Sequence, residues 1–195
     1  MKILIIGMGG IGSWLIEEVA RAIEIEQISP TIKFEIADND IVEINQVCYQ
    51  NFKDCDIGES KARVLARRFE DYAFKPINKR ITEKGQLRGY DLIICCADNN
   101  PIRETVFKFC HENNKDFIDL RAEGRYVMAF QKNKNLEADL ETLDLTDITN
   151  GSCQKESDMK KDWIMYGNKI VAMIGIQMLL NYLREQRNNK ILIKV

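Results

Sequence analysis

The chain has 195 residues, a formal net charge of −2 and an apolar share of 45%. That is the size of one α/β domain with a sizeable core, and the balanced charge removes the global basic field that would recruit nucleic acid. Six cysteines, Cys95 and Cys96 adjacent and four scattered, without a Cys-x-x-Cys pair, fit neither a zinc site nor a disulfide scaffold, and the single histidine, His111, sits at a polar helix end where solvation is expected.

Residues 1–6 form a short apolar run that reads as a first strand. Gly7-Met8-Gly9-Gly10-Ile11-Gly12 follows at once, and residues 13–22 then show amphipathic helical spacing. Strand, glycine turn and helix in that order open a nucleotide- or dinucleotide-binding βαβ unit. Of Gly7, Gly9, Gly10 and Gly12, one serves the sharp turn, one the approach of backbone N–H groups to a phosphate, and one the close packing of helix on strand. The helix N-terminus adds partial positive charge at the phosphate. No leader-like or membrane-length apolar segment occurs, so a cytoplasmic setting with no membrane partner is expected.

Residues 31–37 read as the second strand and end in Asp38-Asn39-Asp40. An acidic residue at this tip accepts hydrogen bonds from ribose hydroxyls, and Asp38 has nearly the expected spacing from the glycine turn. A turn or helix-cap aspartate is the competing role, and it suits Asp40 better. A polar loop follows, then a helical stretch over residues 61–69, with Asp56 and Glu59 spaced like a capping pair. A nicotinamide-dependent oxidoreductase would explain the glycines and Asp38, but not this insertion.

The combined pattern resembles the ThiF/MoeB family, the bacterial relatives of ubiquitin-activating enzymes. The match rests on Gly7, Gly9, Gly10, Gly12, Asp38, Asp40, Val42, Glu43, Gln50, Asp56, Ile57, Gly58, Lys61 and Ala62. The resemblance implies an ATP site in which Asp38 holds ribose and Lys61 reaches the triphosphate, with Asp40 and Gln50 alongside. The family's phosphate-contacting arginine falls on Tyr49 and its asparagine on Gln46. Lys61 also stands at the helix end that a cation does not favour, which an adjacent anion would explain.

A weak third strand lies within residues 75–81. Residues 91–97 form a nearly continuous apolar run, as expected of a parallel strand covered on both faces, with Cys95 and Cys96 as core. The run ends in Asp98-Asn99-Asn100-Pro101-Ile102-Arg103, and a helix starts near Pro101. An acid at the carboxyl end of such a strand faces the ligand crevice; a helix cap is the competing role for Asp98. The resemblance implies that Asp98 holds magnesium and that Arg103 lies near the acceptor carboxylate. Residues 116–120 and 125–131 read as an antiparallel pair.

Residues 132–161 are polar and irregular. In the family this stretch crosses the active site and can carry a nucleophilic cysteine; here it holds only Cys153, with Lys155 nearby, so no zinc is expected. Residues 163–184 form a helix apolar on several sides, and residues 191–195 a closing edge strand. The expected fold is α/β, a Rossmann-like, mostly parallel sheet flanked by helices, with antiparallel strands toward the C-terminus, in one domain over residues 1–195. The resemblance implies ATP- and Mg2+-dependent adenylation of the C-terminus of a small ubiquitin-like or sulfur-carrier protein or peptide, by a homodimer. Tyr49 keeps open a second reading, an inactive member that binds a protein partner.

Overall fold

The most continuous apolar runs become neighbouring central strands, β1 (Lys2–Ile6) and β4 (Leu92–Cys95), paired in parallel with Ile3 opposite Leu92 and Ile6 opposite Cys95. This is a computed structural model, and it describes residues 1–123, 126–131, 166–186 and 190–194. Ile3 and Ile5 point to one face of the sheet, Leu4 and Ile6 to the other, and all are buried. Burial on both faces explains why neither strand alternates apolar with polar residues.

The other strands are β2 (Lys33–Ala37), β3 (Lys75–Ile77), β5 (Asp116–Glu123), β6 (Tyr126–Gln131) and β7 (Lys190–Lys194). The sheet order is β3-β2-β1-β4-β5-β6-β7. The first five strands of that order pair in parallel, and β5-β6 and β6-β7 are antiparallel. This is the expected doubly wound sheet with an antiparallel C-terminal edge. The third strand is shorter than the sequence suggests and ends at Ile77.

Helices α1 (Gly12–Glu24), α2 (Lys61–Arg68) and α4 (Gly167–Leu183) share one face, where Leu15, Val19, Leu65, Val171 and Leu179 meet Ile3, Ile5 and Leu120. Helix α3 (Asn100–Glu112) covers the other face with Val106 and Phe109, over Leu4, Ile6 and Ile93. At about 25 cal/mol per Å² of apolar surface removed from water, these two layers hold the fold together. The chain leaves β1 for β2 on one side and later places β4 on the other. The carboxyl ends of β1 and β4 are therefore the switch point where open α/β sheets bind ligands.

Asp56 and Glu59 do not form a capping pair. The residue before α2 is Ser60, which makes no side-chain cap. Asp56 instead accepts from its own Lys53 N–H at 2.8 Å and pairs with Arg68, while Glu59 takes a two-pronged bond from Arg67 at 2.7 and 2.8 Å. In α4, Met173 is 52% exposed while Val171, Ala172, Ile176 and Leu179 are buried. Cys153, Lys155 and the expected crossover at 132–161 lie outside the described residues.

Candidate functional site

The glycine turn is shaped by contacts only glycine permits. Gly7 has a φ of +89°, and a Cβ there would lie 2.8 Å from the Ala97 backbone nitrogen. A Cβ on Gly12 would run into the Gly7 carbonyl oxygen. The turn is thus wedged between the ends of β1 and β4, and Gly9, with open space at its Cβ position, faces the crevice.

Asp38 closes the second side. Its Oδ2 accepts from Met8 N–H at 2.6 Å and its Oδ1 from Asp40 N–H at 2.7 Å. Glycine turn and acidic tip are therefore one hydrogen-bonded unit, and each carboxylate oxygen keeps acceptor capacity for a hydroxyl. Burial raises the Asp38 carboxyl above its ordinary range, against the lowering effect of the Asp40 and Met8 N–H groups; the Asp40 charge raises it and the Lys61 charge lowers it.

Residues 41–60 fold back to deliver Lys61. Val42 N–H donates to Glu59 carbonyl at 2.9 Å, Gly58 N–H to Val42 carbonyl at 2.9 Å, and Lys61 N–H to Asp40 carbonyl at 3.0 Å. Arg68 clamps the loop by holding both Asp56 and the Asn51 carbonyl, and Asn51 N–H donates to Ser13 Oγ on α1 at 3.0 Å. The Asp56–Ala62 segment is thus a brace for the lysine. Lys61 is only 3% exposed, and its ammonium is 3.9 Å from Asp40 Oδ2, too long for a hydrogen bond. Burying an ammonium on so weak an ion pair is costly, and an anion in the crevice would offset it.

The crevice, about 280 Å³, is lined by Gly7, Gly9, Gly10, Asp38, Asp40, Gln46, Tyr49, Gln50, Lys61 and Asp98, among others. Among the described residues, every proposed site residue except Gly12 and Arg103 therefore opens on one space. Gln50 is 7% exposed, and its Oε1 has no hydrogen-bond partner among the described residues. Lys79 and Arg80, just past β3, also line the crevice; sequence reasoning missed them, and their adjacency in a turn after a strand was the available signal.

The structure separates Asp98 from its competing role. Asn99 caps α3, its Oδ1 accepting from Ile102 N–H at 3.1 Å, while Asp98 lines the crevice. Arg103 is held in a buried cluster of its own. It is 8% exposed, does not line the crevice, and pairs with Asp119 while donating to the carbonyls of Ala97 and Leu120. Arg121 Nε donates to the other Asp119 oxygen at 2.5 Å. Buried Asp119 thus joins two guanidinium groups and ties β5 to the turn carrying Asp98. Among the described residues no group of three or more His, Cys, Asp or Glu side chains is arranged to hold a metal alone. Among them, no helix is long and apolar enough to cross a membrane.

The ThiF family model matches residues 1–193. The chain is 33% identical over 112 residues to the NEDD8-activating enzyme E1 catalytic subunit of Caenorhabditis elegans, covering 54% of this chain and 24% of that protein. It is 28% identical over 174 residues to the ATP-dependent ubiquitin transferase-like protein Cap2 of Enterobacter hormaechei, covering 81% and 26%. The chain thus spans about a quarter of these relatives' lengths. In fold it is similar to E. coli MccB solved with AMPCPP and MccA, with a TM-score of 0.73 at 17% identity, over 100% of this chain and 60% of that one. PaaA matches equally, at a TM-score of 0.73 and 14% identity, over the same shares.

Proposed function

The chain belongs to the ThiF family, and from that membership we propose that it uses ATP to adenylate a C-terminal carboxylate on a small ubiquitin-like or sulfur-carrier protein or on a peptide. The observation that carries this reading is Lys61, a buried ammonium at the crevice with a 3.9 Å ion pair, beside a glycine turn locked to Asp38. A dinucleotide dehydrogenase needs the turn and the acid but has no use for that lysine. Relatives point the same way, since MccB has also been solved with ATP.

In this reading Asp38 accepts the ribose hydroxyls, and the Gly9–Gly10 backbone and the start of α1 face the phosphates. The acceptor carboxylate oxygen attacks the α-phosphorus. The bond from that phosphorus to the oxygen bridging α and β breaks, and its electron pair leaves with pyrophosphate. Lys61 balances charge on the phosphates, and so acts most where charge grows during the transfer. Magnesium, when bound, would neutralise the departing pyrophosphate, and Asp98, relieved of capping by Asn99, is the carboxylate that would hold it together with phosphate oxygens. Arg103 acts as a positioning residue that fixes the Ala97–Asp98 turn through the Ala97 carbonyl. A homodimer and a cytoplasmic setting belong to the same proposal, with exposed Met173 on α4 as one candidate contact. A thioester at Cys153 would be a later step.

Calorimetric titration with ATP, AMP and NAD+ tests the nucleotide assignment. Wild type is expected to bind ATP more tightly than AMP, and Lys61→Met to lose about tenfold in ATP affinity, roughly 1.4 kcal/mol, with little change for AMP. Tight NAD+ binding without ATP binding would overturn the assignment. Tyr49, in place of the family's arginine, supports a second reading as a nucleotide-binding but inactive partner subunit; ATP binding without any exchange of pyrophosphate into ATP would favour it.

A further inference from the structure

The phosphate grip lacks an arginine at Tyr49, yet a cation from elsewhere in the chain stands beside that position. Trp14 on α1 donates its indole N–H to the Tyr49 carbonyl at 3.2 Å. Lys169, in the first turn of α4, holds its ammonium 3.7 Å from the centre of the Trp14 ring and 5.5 Å from the Tyr166 ring. Trp14 therefore touches both the Lys169 charge and the Tyr49 backbone, and Tyr49 lines the crevice. Aromatic faces attract a cation without neutralising it, and no carboxylate among the described residues forms an ion pair with Lys169.

Its neighbour is equally unusual. Asn168 is 1% exposed, and among the described residues neither its Oδ1 nor its Nδ2 has a hydrogen-bond partner. The amide presses on the glycine turn, for a Cβ on Gly10 would collide with Asn168 Nδ2 and Cγ. The N-termini of α1 and α4 thus meet at Gly10. Neither has a side-chain cap, and neither has an acidic residue in its first turn. Two positive helix ends, a lysine at the end that a cation disfavours, and a buried amide without a partner among the described residues share one anion-shaped deficit.

We propose that the first turn of α4 completes the polyphosphate site, with Lys169 supplying the cation that Tyr49 does not and Asn168 supplying a polar partner behind the glycine turn. The lysine leaves its seat on Trp14 and swings toward the β- and γ-phosphates, which its flexible stem allows. The proposal rests on the ATP reading above. It makes ATP recognition depend on α4, an element more than 100 residues from the glycine turn in sequence.

The test is calorimetry with ATP and AMP on wild type, Lys169→Met, Tyr49→Arg/Lys169→Met and Asn168→Leu, with thermal unfolding of each. Methionine keeps the stem over Trp14 and removes only the charge. Lys169→Met is expected to weaken ATP about tenfold and leave AMP within twofold, and Tyr49→Arg in that background to restore ATP to within about threefold of wild type. Asn168→Leu is expected to weaken ATP while raising the unfolding temperature, because it removes two unbonded polar atoms from the interior. Unchanged ATP affinity in Lys169→Met, an equal loss for ATP and AMP, or no recovery with Tyr49→Arg overturns the proposal. Wild type that binds ATP with any of these results fails this inference alone. Wild type that binds no ATP fails the functional reading and this inference together.

Discussion

Replacing Asp119 by asparagine tests the device that holds the crevice in shape. Asp119 is 3% exposed, Arg103 8% and Arg121 4%, so all three charges lie away from water. One carboxylate serves both guanidinium groups, and Arg121 Nη1 already has no hydrogen-bond partner among the described residues. Breaking a buried ion pair by removing one partner costs about 3–5 kcal/mol, because the remaining charge is left uncompensated. Here both guanidinium groups lose that carboxylate, although Arg103 keeps the Ala97 and Leu120 carbonyls. A loss of about 4 kcal/mol is therefore expected, a large share of a stability on the order of 5–15 kcal/mol. Urea unfolding with an unchanged m-value reads it. Arg121→Met in the Asp119→Asn background should recover about 1–3 kcal/mol, since it removes one of the stranded charges. A loss below about 1 kcal/mol for Asp119→Asn, or a further loss on adding Arg121→Met, would refute this account of the cluster.

Gly12→Ala should destabilise the protein by about 2–3 kcal/mol in the same urea assay and abolish detectable ATP binding, because its Cβ meets the Gly7 carbonyl, which cannot move without opening the turn. Asn99→Ala should cost about 1 kcal/mol through loss of the α3 cap, with Asp98 drawn toward the vacated cap and magnesium-dependent activity lowered more than ATP affinity. Glu35, on the α3 face of β2, gives a pH signature. Burial alone would raise its carboxyl, but hydrogen bonds from Tyr90, Lys75 and Lys2 bring it from 4.5 down to about 2. A depressed carboxylate stabilises the fold fully above its unfolded value and loses that contribution as pH falls from 4.5 toward 2. Lys75 is largely solvent-screened, so the contribution is on the order of 1–2 kcal/mol. Tyr90→Phe should accordingly lower stability at pH 7 by about 1 kcal/mol, with the difference vanishing near pH 2 in a denaturation series.

What could be read in the sequence was what depends on neighbours along the chain. The glycine turn follows its strand directly, and Asp38 ends the next strand at a fixed reach, so both were legible without tertiary information. Strands β1 and β4 announced their central place by apolar continuity. The fate of Lys61 was only half legible: a lysine opening a helix usually lies in water, and its burial comes from the fold-back of residues 41–60 held by Arg68, which pairs residues far apart in sequence. Asp56 and Glu59 had capping spacing, yet each is claimed by an arginine of α2 reached only after the loop closes. The bonding of Arg103 was hidden for the same reason. Its partner Asp119 belongs to the next strand, and only the β4–β5 register, Cys95 opposite Asp119, brings them together. Lys79 and Arg80 reach the crevice because β3 pairs at the edge of β2, a short strand with little sequence signal.

In the proposed reaction Asp98 and Lys61 serve transfer of AMP from ATP to a carboxylate. Its most direct measurement is exchange of radiolabelled pyrophosphate into ATP, with magnesium, across a panel of small proteins ending in Gly-Gly and short peptides with free C-termini. Acceptor-dependent exchange is predicted for wild type, falling by about a hundredfold or more in both Asp98→Ala and Lys61→Ala. Exchange undiminished in either variant, or none with any acceptor while ATP is bound, would contradict it.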